Sequence, residues 1–282
     1  MFLLLFVTTC EAAELPFETR FKGVEKFNKL VEQAKIEQWV KLPLGERVAT
    51  IGKTLVGTPY KGYTLEIDDS IEAPSVNLNG LDCWTFFEVS LGFARMLELP
   101  EEEWTPEILL DYIELDRYRK GQCTGNYLSR LHYLADWLID NAEGGLVEDL
   151  SKKLGGVRLR KECCEMSNGW KGYRYLRANR KLIQPMAKLE RKISDLPVYH
   201  IPKSKVADIE PQLQSGDIIG ITTKGRGSFC SHVGLAYRDE KGVLRFMHAS
   251  SNYKKVLIDQ RLSGYLYDFS SHAGILVARP LK

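Results

Sequence analysis

Apolar side chains in FNKLVEQAKIEQWV fall at Phe27, Leu30, Val31 and Ala34, a spacing that puts them on one stripe of a helix. The helical reading runs from Phe17 to Val56, with Gly45 to Val56 as a second helix ended by Gly57-Thr58-Pro59. A loop rich in Gly, Asp, Pro and Asn continues to Gly80. In LDCWTFFEVSLGF, Leu81 to Phe93, the pattern changes. Trp84, Phe86, Phe87, Val89, Leu91, Phe93 and Ala94 lie all round the axis, which predicts a helix buried on most sides. From Glu101 to about Lys192, TPEILLDYIELDRYR, LSRLHYLADWLIDNA and EDLSKKLGG are helix-like, the last with a glycine stop. Leu182 to Lys192 adds another helix. After Pro202 the period becomes two: DIIGITT, HVGLAY, VLRFMHAS, VLIDQRL and AGILVARP are short strands between turn residues. Helices first and a β-meander last predict an α+β fold. No periodic self-similarity points to a repeat architecture.

The chain has 282 residues, 44% hydrophobic and 27% charged, enough for a proper core. A net charge of +2 is too mild to indicate a nucleic-acid partner. The locally basic stretches VRLRKE and WKGYRYLRANRK read as solvated faces, or else as a patch that attracts an anionic substrate. The N-terminal apolar run of MFLLLFVTTCEAAE is shorter than the ~20 residues a membrane span needs. It is read as a signal-peptide remnant over residues 1–13, with cleavage after Ala12, or as a poor lipoprotein box at Cys10. Export to the periplasm or cell envelope follows, with no transmembrane span. Of the 6 cysteines, Cys163 and Cys164 are adjacent, and no CxxC pair suggests a zinc ribbon or redox motif.

Candidate chemistry gathers at three residues. Arg238 to Gly242 has the composition of a hairpin turn. If the hairpin is symmetric about Glu240, His232 and His248 stand directly opposite each other, each eight positions from the centre, with Cβ atoms about 5 Å apart. A one-residue bulge would break this register. His248 shares a face with Leu244 and Phe246 and is expected to point inward. Asp82 is a favoured helix N-cap, which puts Cys83 in the first turn, where the helix dipole favours a thiolate. A thiolate beside an imidazole is the nucleophile–base pair of acyl transfer, with His248 as the orienting third group. The alternatives are a buried apolar thiol with two structural histidines, a zinc site of Cys83, His232 and His248, and a module that binds without turnover.

The blocks VGTPYKG, LDCWTFF, LQSGDIIGI, SHVGLAY and FMHASS occur in this order, and together they resemble the NlpC-type, papain-like cell-wall cysteine hydrolases. The resemblance implies a papain-like α+β core: a buried nucleophile helix packed on an antiparallel β-meander or barrel. It implies Cys83 as nucleophile, His232 as base and His248 as orienting residue, with no cofactor. Tyr60 would line the site and support the oxyanion together with the Cys83 N–H; Asp82 and Ser231 would hold polar substrate groups. Two departures stand out. Trp84-Thr85 replaces the usual Ser-Gly after the cysteine, and 149 positions separate Cys83 from His232, filled by a helical insertion at about 100–200. The insertion and its stretch Ser129 to Tyr133 resemble the N-acetylmuramoyl-L-alanine amidase-like branch, which cuts between muramic acid and the first alanine of the stem peptide. In that stretch Arg130 would pair with a carboxylate, and Tyr133, with Tyr127 and Trp137, would stack on a sugar; otherwise it is a plain amphipathic helix with Arg130 on its surface. His132 stays outside the catalytic set. Residues 14–282 are expected to form a single catalytic domain acting on muropeptides, with γ-D-glutamyl-diamino-acid endopeptidase activity as the competing specificity.

Overall fold

A computed structural model describes residues 15–281; the expected export segment, including Cys10, lies outside them. Helix α1, Val24–Ile36, turns Phe27, Leu30 and Ala34 inward, the stripe its spacing predicted. The helical stretch breaks at Gln38, which takes a left-handed φ of 54°. Helix α2, Leu44–Thr54, then starts behind Pro43. Helix α3, Cys83–Met96, is buried at every position from Thr85 to Met96. Three more helices of ten or more residues follow among the described residues: α4 (Pro106–Arg117), α5 (Leu134–Glu143) and α6 (Ile183–Ser194). No described helix is long and apolar enough to cross a membrane.

Two expected helices of the insertion take other forms. LSRLHYLADWLIDNA is not continuous: Tyr127–Ser129 is one 3-10 turn, Arg130 is extended and bridges Tyr118, and α5 begins only at Leu134. Asn126 caps the short turn by accepting from Leu128 N at 2.9 Å, and Arg130 is drawn inward to Glu72 at 3.0 Å. A local cap and a buried ion pair here override helix propensity. EDLSKKLGG is a strand followed by turns, because Val147–Asp149 pairs with the last strand.

The strands of the main sheet are β1 (Val147–Asp149), β2 (Val157–Arg158), β3 (Tyr199–Pro202), β4 (Ile218–Thr223), β5 (Cys230–Arg238), β6 (Leu244–Ser250), β7 (Lys255–Arg261) and β8 (His272–Pro280). They form one antiparallel sheet in the order β2-β3-β8-β4-β5-β6-β7, with β1 also pairing β8. The α+β expectation holds, and the sheet is an open meander with a returning strand, not a barrel. Alternation divides the core between its faces. Val233, Leu235, Met247 and Ala249 join the apolar cluster that contains Phe86, Phe87 and Val89 of α3. Ile219, Ile221, Ala236 and Phe246 join Tyr265 in a second cluster.

The β5–β6 hairpin is not centred on Glu240. Leu235 pairs with Met247 and Arg238 with Leu244, which centres the register on Lys241. Gly242 causes the shift: its φ of 76° ends a longer turn, closed by Asp239 N to Val243 O at 3.0 Å. Continuing this register makes His232 and His248 diagonal neighbours on one face. The two rings still meet, because diagonal pairs lie within reach of aromatic side chains.

Candidate active site

The local sequence D-C-W-T fixes the thiol. Asp82 Oδ1 accepts from Thr85 N at 2.8 Å, and Thr85 Oγ1 accepts from Asp82 N at 2.9 Å, a reciprocal capping box. Cys83 therefore occupies the first helical position and faces the same cavity as Val233 of β5. The loop Gly57–Tyr60 is clamped beside it: Leu81 N donates to Pro59 O at 3.0 Å, Lys61 N donates to Leu81 O at 3.0 Å, and Tyr60 N donates to Lys254 O at 2.8 Å. Tyr60 thus borders the thiol.

His232 arrives from the sheet just past a bulge. Ile221 pairs with His232 but Thr222 pairs with Cys230, so Ser231 is the extra residue, left unpaired and exposed. His232 Nε2 lies 2.7 Å from His248 Nδ1, and His248 Nε2 lies 3.3 Å from Asp259 Oδ2. His248 is 2% exposed and stacks on Phe246 with ring centroids 4.6 Å apart. Asp259 was missed at the sequence level. It lies in VLIDQRL, where nothing in the alternation distinguishes it from an ordinary strand polar residue.

A cavity of about 370 Å³ brings Tyr60, Asp82, Cys83, Arg130, Tyr133, Ser231 and His232 together. His248 stands behind His232 and does not line it. Arg130 is 4% exposed rather than on a surface helix. It pairs with Glu72, lies 4.8 Å over the Tyr127 ring, and has a buried Nε with no hydrogen-bond partner. The Tyr133 hydroxyl donates to Glu190 at 2.5 Å, which leaves its ring to the cavity. Trp137 cannot stack on a sugar: it is fully buried, edge-on to Phe87 at 5.1 Å. His132 also lines the cavity, with Nε2 2.8 Å from Tyr127 O. Glu165, Met166 and Tyr173 add to the insertion's share of the wall, a contribution the sequence reading did not identify.

The electrostatics differ from the thiolate expected at a helix N-terminus. Burial, and then the charge of Asp82, pushes the Cys83 thiol up to about 12. Burial, and then His248 and His272, push His232 down to about 3. Desolvation outweighs the partial charge of the helix end, so the resting pair is an uncharged thiol and an uncharged imidazole. Burial, and then Cys83, raise the Tyr60 phenol to about 12, which keeps it a donor at neutral pH. His232 Nε2 and His248 Nδ1 face each other at hydrogen-bonding distance rather than converging on a shared ion, and no cluster of three or more potential metal ligands occurs among the described residues.

A family described as N-acetylmuramoyl-L-alanine amidase-like matches residues 50–275. The crystal structure of an N-acetylmuramoyl-L-alanine amidase from Bacteroides uniformis is similar with TM-score 0.77 and 32% identity, over 85% of this chain and 99% of that one. A Bacteroides fragilis structure carrying a provisional xylanase label is similar with TM-score 0.74 and 35% identity, over 82% of this chain and 99% of that one. A Legionella pneumophila structure at 20% identity and TM-score 0.66, over 92% of this chain and 94% of that one, shares the fold. No protein with a curated description matches the chain.

Proposed function

Because this chain belongs to the N-acetylmuramoyl-L-alanine amidase-like family, we propose that it is an exported, papain-like cysteine amidase of the NlpC type that hydrolyses the bond between muramic acid and L-alanine in peptidoglycan fragments. The observation that carries this reading is one cavity lined by a cysteine at the first position of a buried helix and by a histidine backed by a second histidine and a carboxylate. The Cys83 sulfur attacks the amide carbonyl carbon while its proton passes to His232. The tetrahedral oxyanion is held by the Cys83 backbone N–H and the Tyr60 hydroxyl. His232 returns the proton to the leaving amine of alanine, which yields a thioester to the lactyl carbonyl. His232 then takes a proton from water, hydroxide adds to the thioester, and the thiol leaves reprotonated.

A cavity of about 370 Å³ lies at the small end of the range for ligand sites, roughly 300–1,000 Å³, and insertion residues wall one side of it. That favours a small soluble muropeptide over an intact glycan strand. The partnerless Nε of buried Arg130 suits an oxygen of the lactyl or peptide carboxyl group. Asp82 is committed to its capping box, so its part is to hold the thiol in place, whereas exposed Ser231 remains free for polar substrate groups. The test is to incubate a purified muropeptide with wild-type protein and with Cys83→Ala and to weigh the products. Free muramoyl sugar plus the whole peptide, abolished in Cys83→Ala, is expected. A dipeptide left on the sugar assigns the scissile bond to an endopeptidase, and undiminished turnover by Cys83→Ala ends the cysteine reading.

A further inference from the structure

The chain of polar groups behind His232 ends on a residue whose proton inventory is fixed. Two residues of β7, Asp259 and Gln260, stand where one would normally oppose Phe246: Arg245 pairs with Arg261 and Met247 with Ile258. This bulge turns Asp259 toward His248, whose direct partner is Leu257. The contact is 3.3 Å, and the bond from His248 holds the Asp259 carboxyl below its usual range, so the group is ionised at neutral pH. Rings on both sides keep the imidazoles in place. Phe246 stacks on His248, and Tyr265 lies edge-on to His248 with centroids 5.2 Å apart.

An ionised carboxylate only accepts hydrogen bonds. His248 Nε2, facing it, must carry hydrogen. When His248 is uncharged, its single N–H lies on Nε2, so Nδ1 is bare and accepts from His232 Nε2–H at 2.7 Å. His232, kept neutral by burial, then has a bare Nδ1, and that is the one nitrogen left for the cavity it shares with Cys83. We propose that Asp259 is a positioning residue whose carboxylate orders the protons of both histidines, so that His232 presents a lone pair rather than an N–H to the thiol side of the cavity. His248 alone does not do this: without an acceptor on Nε2 it has no preference between donating to His232 and accepting from it. The same order serves an uncharged thiol–imidazole pair, which has to move a proton at the moment of attack.

The inference rests on the cysteine amidase reading for its consequence, though not for its measurement. Nitrogen-15 NMR of the labelled, substrate-free wild-type protein reads the imidazole protons directly. His232 protonated at Nε2 and bare at Nδ1, and His248 likewise, is the expected spectrum; a proton on His232 Nδ1 overturns the proposal whatever any variant does. In Asp259→Ala the single-tautomer signature should be lost, with kcat on N-acetylmuramoyl-L-alanine falling roughly 10- to 100-fold and KM within about twofold of wild type. Asp259→Glu should restore both. An Asp259→Ala protein with wild-type spectrum and kcat also overturns it. Retained activity in Cys83→Ala would sink the amidase chemistry and leave the spectrum to be judged separately.

Discussion

At Cys83 two effects of opposite sign meet, and their outcome is measurable. A helix N-terminus lowers a thiol's pKa, but burial together with Asp82 raises this one to about 12. Alkylation follows the thiolate fraction, so iodoacetamide labelling of Cys83, followed site by site by mass spectrometry, should rise about tenfold per pH unit from pH 6 through 9 with no plateau. A plateau near pH 7 would mean that a thiolate–imidazolium pair is already formed at rest. Burial likewise depresses His232 to about 3, so kcat/KM should keep no acid limb between pH 5 and 7. Tyr60, with its phenol raised to about 12, is protonated throughout and keeps a hydrogen to donate. Tyr60→Phe should lower kcat on the order of 10²-fold with KM nearly unchanged, since the bond forms only as charge develops. An unchanged kcat removes Tyr60 from the oxyanion site. The positions of these side chains were legible in LDCWTFF and VGTPYKG. Their charge states were not, because desolvation depends on what the rest of the chain lays over them.

At the scale of the elements, the site is a junction between one helix end and one hairpin. The cap was readable from Asp82 alone, since it is local, whereas the reciprocal bond of Thr85 was seen only in the structure. The hairpin was readable in type but not in register. Its centre depends on Gly242 taking a positive φ, a choice that composition permits at more than one turn residue. Asp259 escaped for the same reason, since its approach to His248 depends on a bulge that alternation does not encode. The observed register also explains Gly234. A Cβ there would sit 2.6 Å from Met247 O and 2.8 Å from His248 Cβ, in the backbone of the neighbouring strand. Gly234→Ala must therefore push β6 away from β5 and open the His232–His248 contact. Expected are a loss of about 1–3 kcal/mol in denaturant unfolding and at least a tenfold fall in kcat. A variant that keeps wild-type kcat would show that the histidine pair tolerates strand separation.

Over the whole molecule, the insertion is tied to the helix that carries Cys83 by buried charges as well as by apolar packing. Arg117 of α4 donates to Glu88 of α3 at 2.8 and 2.9 Å, and Glu88 also accepts from Trp84 Nε1 at 2.6 Å. Further along, Glu72 accepts from Tyr118 OH at 2.6 Å and from Arg130 Nη2 at 3.0 Å, joining the loop before α3 to the cavity wall. Neither network could be read from the sequence: Glu72 and Arg130 are 58 positions apart, and nothing in either stretch pairs one with the other. The Glu72 group separates stability from function. Glu72→Gln leaves Arg130 charged in a buried site without its counter-ion and should cost about 3–5 kcal/mol of unfolding free energy. Replacing the trio together, Glu72→Leu with Tyr118→Phe and Arg130→Met, removes the charges and hydrogen-bonding groups in concert and should recover most of that loss, because buried ion pairs repay little more than their own desolvation. Arg130 also lines the cavity, so the triple variant should stay at least tenfold down in kcat/KM on muropeptide despite its restored stability. Wild-type kcat/KM in that stable variant would confine Arg130 to architecture and leave substrate recognition to other residues of the wall.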